Sequence, residues 1–237
     1  MATSTSAGGQ TGAPRGRTGR PPVTSREQIL VAALRLIETR GWQRLTIRAL
    51  AAELGIGTTT LYHHVRDRED LLVQLIGEVV AQMDRPELPA DPRERVAVAM
   101  MTVHDTLAAI PWAAEVLTVD GFMGRLGDTS VWIVEVVLAA VVETGSTPER
   151  AVEVFRHLWY YTAGEILVRA RSAVGTLDRD RLLPEGQTLF GAREAAALPT
   201  LAAIGDQWPQ IAARDTYAEG LRALVAGLLG PAAGAGG

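Results

Sequence analysis

The segment LTIRALAAELGIGTTTLYHHVRDREDLL, residues 45–72, constrains the fold more than any other part of the chain. Its apolar residues recur at the spacing of an amphipathic helix as far as Gly55, a residue that favours the left-handed conformation in which helices end. Three threonines from position 58 then begin a second helix that is too short to be stable alone. Thr46 and Asp67 are suitable N-cap residues for the helices on either side. We therefore expect short helices, joined by a tight turn, that are stabilised by packing.

A helix before this segment completes the unit. Ser25 and Gln28 form the S-x-x-Q pattern of a capping box, and an apolar stripe with a 3.6-residue period follows as far as Gly41. Three helices in this order form a helix-turn-helix domain, in which the second short helix enters the major groove of DNA with its N-terminus first. We predict an all-α protein with a three-helix domain of this kind over residues 23–70.

The polar side chains of the segment are types that contact duplex DNA. Threonine hydroxyl groups donate and accept hydrogen bonds, and threonine methyl groups pack against thymine methyls. The spacing places Leu61 and Val65 in the core, where they anchor the reading helix. Longer side chains nearby suit contacts with phosphates. The residues predicted on these grounds to contact DNA are Arg48, Thr58, Thr59, Thr60, Tyr62, His64 and Arg68.

Charge is distributed unevenly along the chain, whose formal net charge is −4. Residues 1–68 carry ten arginines and four acidic residues, a net charge of +6, whereas residues 69–237 carry thirteen arginines and 23 acidic residues, a net charge of −10. A basic end on an acidic body is typical of a polyanion-binding module attached to a part with a different task.

Both ends of the chain have the composition of unstructured segments. Residues 1–22 are rich in Gly, Ser, Thr and Pro and contain no acidic residue, which predicts a disordered basic arm. Arg15, Arg17 and Arg20 suit an arm that lies in an A·T-rich minor groove, and the alternative is a solvated tail that attracts DNA without selectivity. Residues 231–237 are expected to form a loose tail.

The body, residues 71–230, has the pattern of a helical regulatory and dimerisation domain. Helices are expected from Pro92, from Trp112, over residues 131–142 as a buried central helix, and from Tyr217 to Leu228, with a loop over residues 173–190. The helix from Pro148 to about Arg171 carries two apolar stripes, which indicates a subunit interface as well as a core contact. The predicted dimer interface comprises Val152, Trp159, Ala163, Leu167, Ala170, Leu221, Leu224 and Leu228.

Several classes of protein are excluded or disfavoured. The chain has no cysteine, no apolar run long enough for a membrane span and no secretory h-region, so we expect a cytoplasmic protein. It lacks G-x-S-x-G, Walker-type and H-E-x-x-H motifs. His104 and Asp105 are expected to point about 100° apart on a helix, too far apart for a local dyad. We predict no enzyme, cofactor or metal centre.

The segment GWQRLTIRALAAELGIGTTTLYHHVRDREDLL resembles the N-terminal domain of the tetracycline-repressor (TetR) family of bacterial transcriptional regulators. Weaker resemblance continues in IPWAAEVL and in GSTPERAVEVFRHLWYYTAGEIL. The resemblance implies a helical homodimer in which ligand binding in the larger domain alters the spacing of two helix-turn-helix units. By motif position it adds His63 to the DNA contacts, whereas Ile47 is apolar where relatives often carry a polar residue and is left out.

The expected function is therefore that of a repressor released from a palindromic DNA operator by a small-molecule effector. The alternative is a DNA-binding regulator that needs no ligand, which a solidly packed body would favour. Effector pockets are mostly apolar with a few polar groups, and carboxylates within apolar stretches need a partner or a cationic ligand. The candidate ligand residues, each of which could instead be a satisfied core or interface residue, are His104, Trp112, Phe122, Trp132, Glu135, His157, Tyr161 and Glu165.

The tetracycline repressor itself chelates a drug-bound metal partly through a histidine after a turn. The corresponding stretch here, PWAAEVLTVDGF, contains no histidine. A tetracycline–magnesium complex is therefore not the expected effector.

Overall fold

The computed structural model describes residues 24–119, 125–126, 128–174 and 197–230, and every regular element within them is helical. The amino-terminal helices are α1 (Arg26–Arg40), α2 (Ile47–Leu54), α3 (Thr58–Tyr62) and α4 (Arg68–Ala81), with a 3₁₀ turn, Trp42–Arg44, between α1 and α2. The body contains α5 (Pro92–Ala108), α6 (Pro111–Leu117), α7 (Asp128–Glu143), α8 (Pro148–Val174), α9 (Pro199–Ile204), α10 (Trp208–Ala212) and α11 (Tyr217–Leu229). The predicted all-α class is confirmed.

Local sequence signals set the helix ends in the amino-terminal part. Ser25 and Gln28 form both hydrogen bonds of the capping box, at 3.0 and 3.1 Å. Thr46 and Asp67 each accept a hydrogen bond from the backbone amide three residues later, at 3.1 and 2.7 Å. Gly55 ends α2 with φ of 66°, a conformation that is costly for residues with a Cβ atom. These bonds satisfy backbone groups that would otherwise lack partners at helix ends.

One hydrophobic core connects the helix-turn-helix to the body. Leu50, Leu61 and Val65 are almost completely buried, and the same cluster includes Ala113 and Ala114 of α6, with further residues of α5 and α8. Helix α4 runs through the predicted domain boundary between residues 70 and 71. The body therefore lies directly against the predicted DNA-binding domain, and the division at residue 70 stays a prediction.

A second core cluster is formed by α5, α7, α8 and α11. Its fully buried residues include Met100, Val137, Leu158 and Leu221, which come from these four helices in turn. Helix α11 returns to pack on α5 and α8, and this brings the carboxyl-terminal part of the chain against the first helix of the body. No single helix among the described residues is both long and apolar enough to cross a membrane.

The body departs from the predicted helices in several places. Helix α6 begins at Pro111, one residue before the predicted start, and α9 and α10 were not predicted. Helix α7 is not buried all round, because Glu135, Ala139 and Val142 face solvent on the side that no other described helix covers. The arm, the tail and all but the first two residues of the predicted 173–190 loop lie outside the described residues, and those two residues are helical.

Candidate DNA interface and effector cavity

Helix α3 presents its polar residues to solvent. Thr58, Thr59 and Thr60 occupy its first turn and are all exposed, whereas Leu61 and Val65 are 0% and 2% exposed and hold the helix to the core. Helical periodicity turns Thr59 and Thr60 about 200° and 100° away from Leu61, whereas Thr58 lies on the side of Leu61 but is exposed at the first turn. The helix therefore offers three hydroxyl groups at an open N-terminus.

The side chains that follow α3 differ in accessibility. Tyr62 is 55% exposed, and His63 is also exposed. His64 is half-buried, and its carbonyl oxygen accepts a hydrogen bond from Gln74 Nε2 at 3.3 Å. Tyr62 and His63 are therefore open to a ligand on the surface, while the backbone of His64 is held against α4.

Of the two predicted arginines, only Arg48 points freely outwards. Arg48 is exposed on α2. Arg68 instead turns inwards: its Nε donates to the carbonyl oxygen of Leu45 at 2.7 Å, its Nη2 donates to that of Trp42 at 2.8 Å, and its guanidinium group lies 5.1 Å from the centre of the Trp42 ring. Arg68 had been predicted as a phosphate contact. The structure gives it a positioning role, because the carbonyl oxygens of Leu45 and Trp42 provide a partly buried site for its donors.

A cavity lies between α5, α6, α7, α8 and the end of α4. It has a volume of about 60 Å³, room for a few water-sized molecules, and is partly open to solvent. The lining is almost entirely apolar, and the hydroxyl group of Thr106 already donates to the carbonyl oxygen of Thr102 at 2.8 Å. The residues around the cavity are Val80, Met83, Val103, Thr106, Leu107, Leu117, Leu126, Ile133, Val134, Phe155 and Trp159. The packing of the body therefore leaves a small apolar cavity between these helices.

None of the seven predicted ligand residues that the structure describes lines this cavity. Trp112 is half-buried against the core that α6 shares with the helix-turn-helix, and Trp132 lies beneath the guanidinium group of Arg85, 4.8 Å from its ring centre. Glu135 and His157 are exposed, because each falls on the outer face of its helix. Phe122 lies outside the described residues. The sequence indicated apolar stretches correctly but not which face of each helix meets the cavity.

His104, Tyr161 and Glu165 are brought together, but as a structural cluster. His104 Nε2 lies 2.7 Å from Glu165 Oε2, and the imidazole ring stacks on Tyr217 with 3.9 Å between ring centres. His104 Nδ1 also lies 2.9 Å from Asp105 Oδ1. The expectation that these adjacent residues could not pair was wrong, because side-chain rotation brings the carboxylate back to the ring.

Tyr217 is the centre of this cluster, and the sequence did not single it out. It is 4% exposed, and its hydroxyl group lies 2.8 Å from Thr162 Oγ1 and donates to the carbonyl oxygen of Met100 at 3.3 Å. Burial raises the pKa of Tyr217 well above the usual tyrosine value. Burial, followed by the nearby charge of Glu165, also raises the pKa of Tyr161. The cluster therefore connects α5, α8 and α11.

Glu165 has the partners that a carboxylate in an apolar stretch requires. Besides His104, it forms an ion pair with Arg169, whose Nη2 also lies 3.4 Å from Asp215 Oδ1. Among the residues that the structure describes, no three His, Cys, Asp or Glu side chains are arranged to hold a metal ion. The charges of this cluster are thus paired within the protein.

The predicted dimer interface needs a correction. Trp159, Ala163 and Leu221 are 7%, 4% and 0% exposed within one protomer, because their stripe packs on the protomer's own core and cavity. Leu167, Ala170, Leu224 and Leu228 are half-buried, and only Val152 is exposed. The apolar side chains of α8 that reach solvent are Val152, Tyr160 and Val168, at 49%, 60% and 65%. Exposed small residues on α11 are Ala223, Ala226 and Gly227.

Comparison with known proteins gives matches in the same regions. Residues 29–75 match the family model described as bacterial regulatory proteins, tetR family. The chain is 42% identical over 66 residues to the tetracycline repressor protein class D of Escherichia coli, a match that covers 28% of this chain and 30% of that protein. It is 26% identical over 204 residues to the HTH-type transcriptional repressor DrrR1 of Streptomyces coeruleorubidus, covering 84% of this chain and 72% of that protein.

A solved structure extends the similarity through the body. The TetR family protein ActR of Streptomyces coelicolor, in complex with (S)-DNPA, is 25% identical and superimposes with a TM-score of 0.64, covering 86% of this chain and 96% of that one. The match to the tetracycline repressor protein class D, in contrast, covers less than a third of that protein. The similarity to DrrR1 and ActR includes both the helix-turn-helix and most of the body.

Proposed function

We propose that this chain, which belongs to the tetR family of bacterial regulatory proteins, is a transcriptional repressor that binds a two-fold symmetric DNA operator as a dimer and is released by a small apolar effector. The observation that carries the proposal is the outward presentation of Thr58, Thr59 and Thr60 on a short helix whose other face is anchored by Leu61.

In the proposed complex, α3 enters the major groove from its N-terminus. Thr58, Thr59 and Thr60 read base edges, and Tyr62 and His63 reach the adjacent backbone. Arg48, exposed on α2, binds a phosphate. The net charge of +6 on residues 1–68 attracts the duplex and makes affinity depend on salt.

A dimer supplies the symmetry of such an operator. The corrected interface consists of the exposed strip of α8 that contains Val152, Tyr160 and Val168, together with the small residues of α11 that begin at Ala223. Because α8 and α11 pack side by side, their symmetry mates complete a four-helix interface. Half-sites are then expected about 10 or 20 base pairs apart.

The cavity limits the chemistry of the effector. Among the described residues no charged side chain lines the cavity. An unpaired polar group buried there would cost about 2–7 kcal/mol, and an unpaired charge more. The effector is therefore a neutral molecule with a largely apolar body, which contacts the aromatic rings of Phe155 and Trp159. The structure of ActR in complex with (S)-DNPA supports a small-molecule effector for a protein of this fold.

Helix α4 transmits occupancy of the cavity to the DNA interface. Val80 and Met83, near its carboxyl-terminal end, line the cavity, whereas Leu71 and Leu72 belong to the core of the helix-turn-helix. A tilt of α4 changes the separation of the two α3 helices in the dimer. A coupling of about 1–3 kcal/mol between the two sites would lower operator affinity about 5- to 150-fold.

Selection of bound fragments from random duplex DNA tests the DNA-binding part. The selected site should be a near-palindrome, and Thr58→Ala or Thr59→Ala should change base preference by about 1–3 kcal/mol at one position of each half-site. Thr39→Ala, on the exposed side of α1, is the matched control and should keep the preference. Binding without sequence preference would contradict the proposal.

Release is tested on the selected operator with a compound screen. A regulator that needs no ligand is the competing function, and the open apolar cavity favours a ligand-responsive protein over it. Neutral apolar compounds should release the protein and quench Trp159 fluorescence, whereas charged analogues of equal size should do neither. If no neutral compound both binds and releases, the ligand-independent function is supported.

A further inference from the structure

The carboxylate of Glu115 on α6 joins the body to the helix-turn-helix by hydrogen bonds. Its Oε2 accepts from Trp42 Nε1 at 2.5 Å and from Gln43 Nε2 at 3.1 Å. Arg171 of α8 lies 3.9 Å from its other oxygen. The side chain of Glu115 is only 34% exposed, and Trp42 is also half-buried. A carboxylate that accepts from an indole N–H forms a charge-assisted hydrogen bond, which is both stronger and more sensitive to geometry than a neutral one.

Trp42 continues the connection to the start of α4. Arg68, the first residue of α4, donates to the carbonyl oxygen of Trp42 at 2.8 Å and places its guanidinium group over the indole ring. Helix α4 follows α3 after five residues, 63–67. A shift of Trp42 is therefore expected to move Arg68 and the start of α4. Helix α3, the proposed reading helix, directly precedes this point in the chain.

Helix α6 lies between this connection and the cavity. Leu117 lines the cavity and stands two residues after Glu115, so the two side chains leave the helix about 200° apart, on nearly opposite faces. The helix has seven residues, too few for stability outside its packing contacts. Displacement of Leu117 by a bound molecule is thus expected to move Glu115 with the rest of the helix.

We propose that Glu115 is a positioning residue: it holds the helix-turn-helix in its operator-binding orientation, and this hold weakens when the cavity is filled. The regulatory part of this inference rests on the proposed function. It adds to the route along α4 a second route from the cavity to the helix-turn-helix, which runs through α6, the turn at Trp42 and Arg68. It also gives a function to the hydrogen bond that the indole N–H of Trp42 donates to Glu115.

The hydrogen bond can be followed without an effector or DNA. The chain has five tryptophans, and the indole N–H resonance of Trp42 is identified by its loss in Trp42→Phe. Glu115→Gln should shift this resonance, because the charge of the acceptor is lost. Val134→Phe, which fills the cavity, should shift it in the same direction, whereas Val142→Phe, on the exposed side of the same helix, should leave it in place.

A second cavity variant guards against a misfolded protein. Val103→Phe fills the cavity from α5 and should move the Trp42 resonance as Val134→Phe does. Circular dichroism checks that each variant is helical. An unmoved Trp42 resonance in a folded cavity variant overturns the proposed sensitivity to the cavity, and an unmoved resonance in Glu115→Gln overturns the contact itself.

Operator affinity provides the functional readout. Trp42→Phe and Glu115→Gln should each weaken operator binding by roughly 5- to 20-fold. The operator affinity of the double variant should be no lower than that of the weaker-binding single variant, because both changes remove the same interaction. Glu38→Gln, an exposed glutamate on α1, is the control for the loss of one negative charge. Multiplicative effects of the two changes would overturn the proposal. If the unaltered protein binds no operator, the proposed function fails, and the Trp42 resonance still decides whether the contact responds to the cavity.

Discussion

The hydroxyl group of Tyr161 on α8 occupies the position that a Cβ atom on Gly220 of α11 would take. Gly220 is helical and has an ordinary negative φ, so the glycine is required by the close approach of the ring and not by its backbone conformation. Tyr161 cannot move aside freely, because its ring stacks on Tyr217 with 5.5 Å between ring centres. This contact fixes how closely the last helix approaches α8.

Gly220→Ala should therefore change stability by different amounts in two backgrounds. In the unaltered protein the new methyl group overlaps Tyr161, and the free energy of unfolding should fall by about 1–3 kcal/mol. In Tyr161→Phe the closest ring atom, Cζ, lies 3.1 Å from the new methyl group, so most of the overlap is relieved. The gain in helix propensity then offsets the remaining crowding, and the free energy of unfolding should change by less than about 1 kcal/mol. Urea unfolding at one fixed protein concentration measures both values. Gly77→Ala, which meets no atom within 4 Å, is the control and should stabilise both backgrounds equally.

Arg68 and Arg48 should separate stability from DNA binding. Arg68→Ala leaves the carbonyl oxygen of Leu45 without its donor and removes one of the two donors to that of Trp42, so the free energy of unfolding should fall by about 1–3 kcal/mol. Arg48→Ala removes an exposed charge and should alter stability by less than about 0.5 kcal/mol while weakening binding to all sequences. Urea unfolding and fluorescence anisotropy at two salt concentrations distinguish the two effects. Equal stability of the two variants would contradict the inward role of Arg68.

The corrected interface predicts folded monomers. Tyr160→Glu and Val168→Glu each place a charge on the exposed strip of α8, so both should dissociate the dimer while helix content is kept. Trp159→Glu should instead unfold the protein, because Trp159 is 7% exposed and lies in the core beside the cavity. Sedimentation and circular dichroism report both properties. A dimer that persists in both strip variants would place the interface elsewhere.

Tyr217 should make stability depend on alkaline pH. Burial raises the pKa of Tyr217 in the folded protein, so the folded state retains this proton at a pH where the unfolded chain, with a tyrosine pKa of about 10, releases it. The contribution is fully present below about pH 10 and falls above it, by up to about 1.4 kcal/mol per pH unit. Tyr217→Phe should reduce this slope, and Tyr62→Phe, at an exposed site, is the control. Urea unfolding between pH 8 and about pH 11 measures it; a slope that Tyr217→Phe does not change would contradict the assignment.

The sequence by itself determined the parts of the molecule that depend on neighbouring residues. The capping box at Ser25, the caps at Thr46 and Asp67 and the helix end at Gly55 are hydrogen-bond and dihedral requirements met within a few residues, and the structure has each of them at the predicted position. The exposure of Thr59 and the burial of Leu61, about 200° apart on α3, follow in the same way from the helical period.

Only the tertiary structure decided which face of each body helix meets the cavity, the core or solvent. Trp159 and Tyr160 are consecutive and aromatic, yet one lines the cavity and the other is 60% exposed. Glu135 and Glu165 lie in equally apolar stretches, yet one faces solvent and the other pairs with His104 and Arg169. Helical periodicity relates residues on one helix to each other but not to a neighbouring helix. The pairing of Glu115 with Trp42, 73 residues apart, depends on how α6 docks against the turn after α1, and that docking is set by side-chain packing over the whole core.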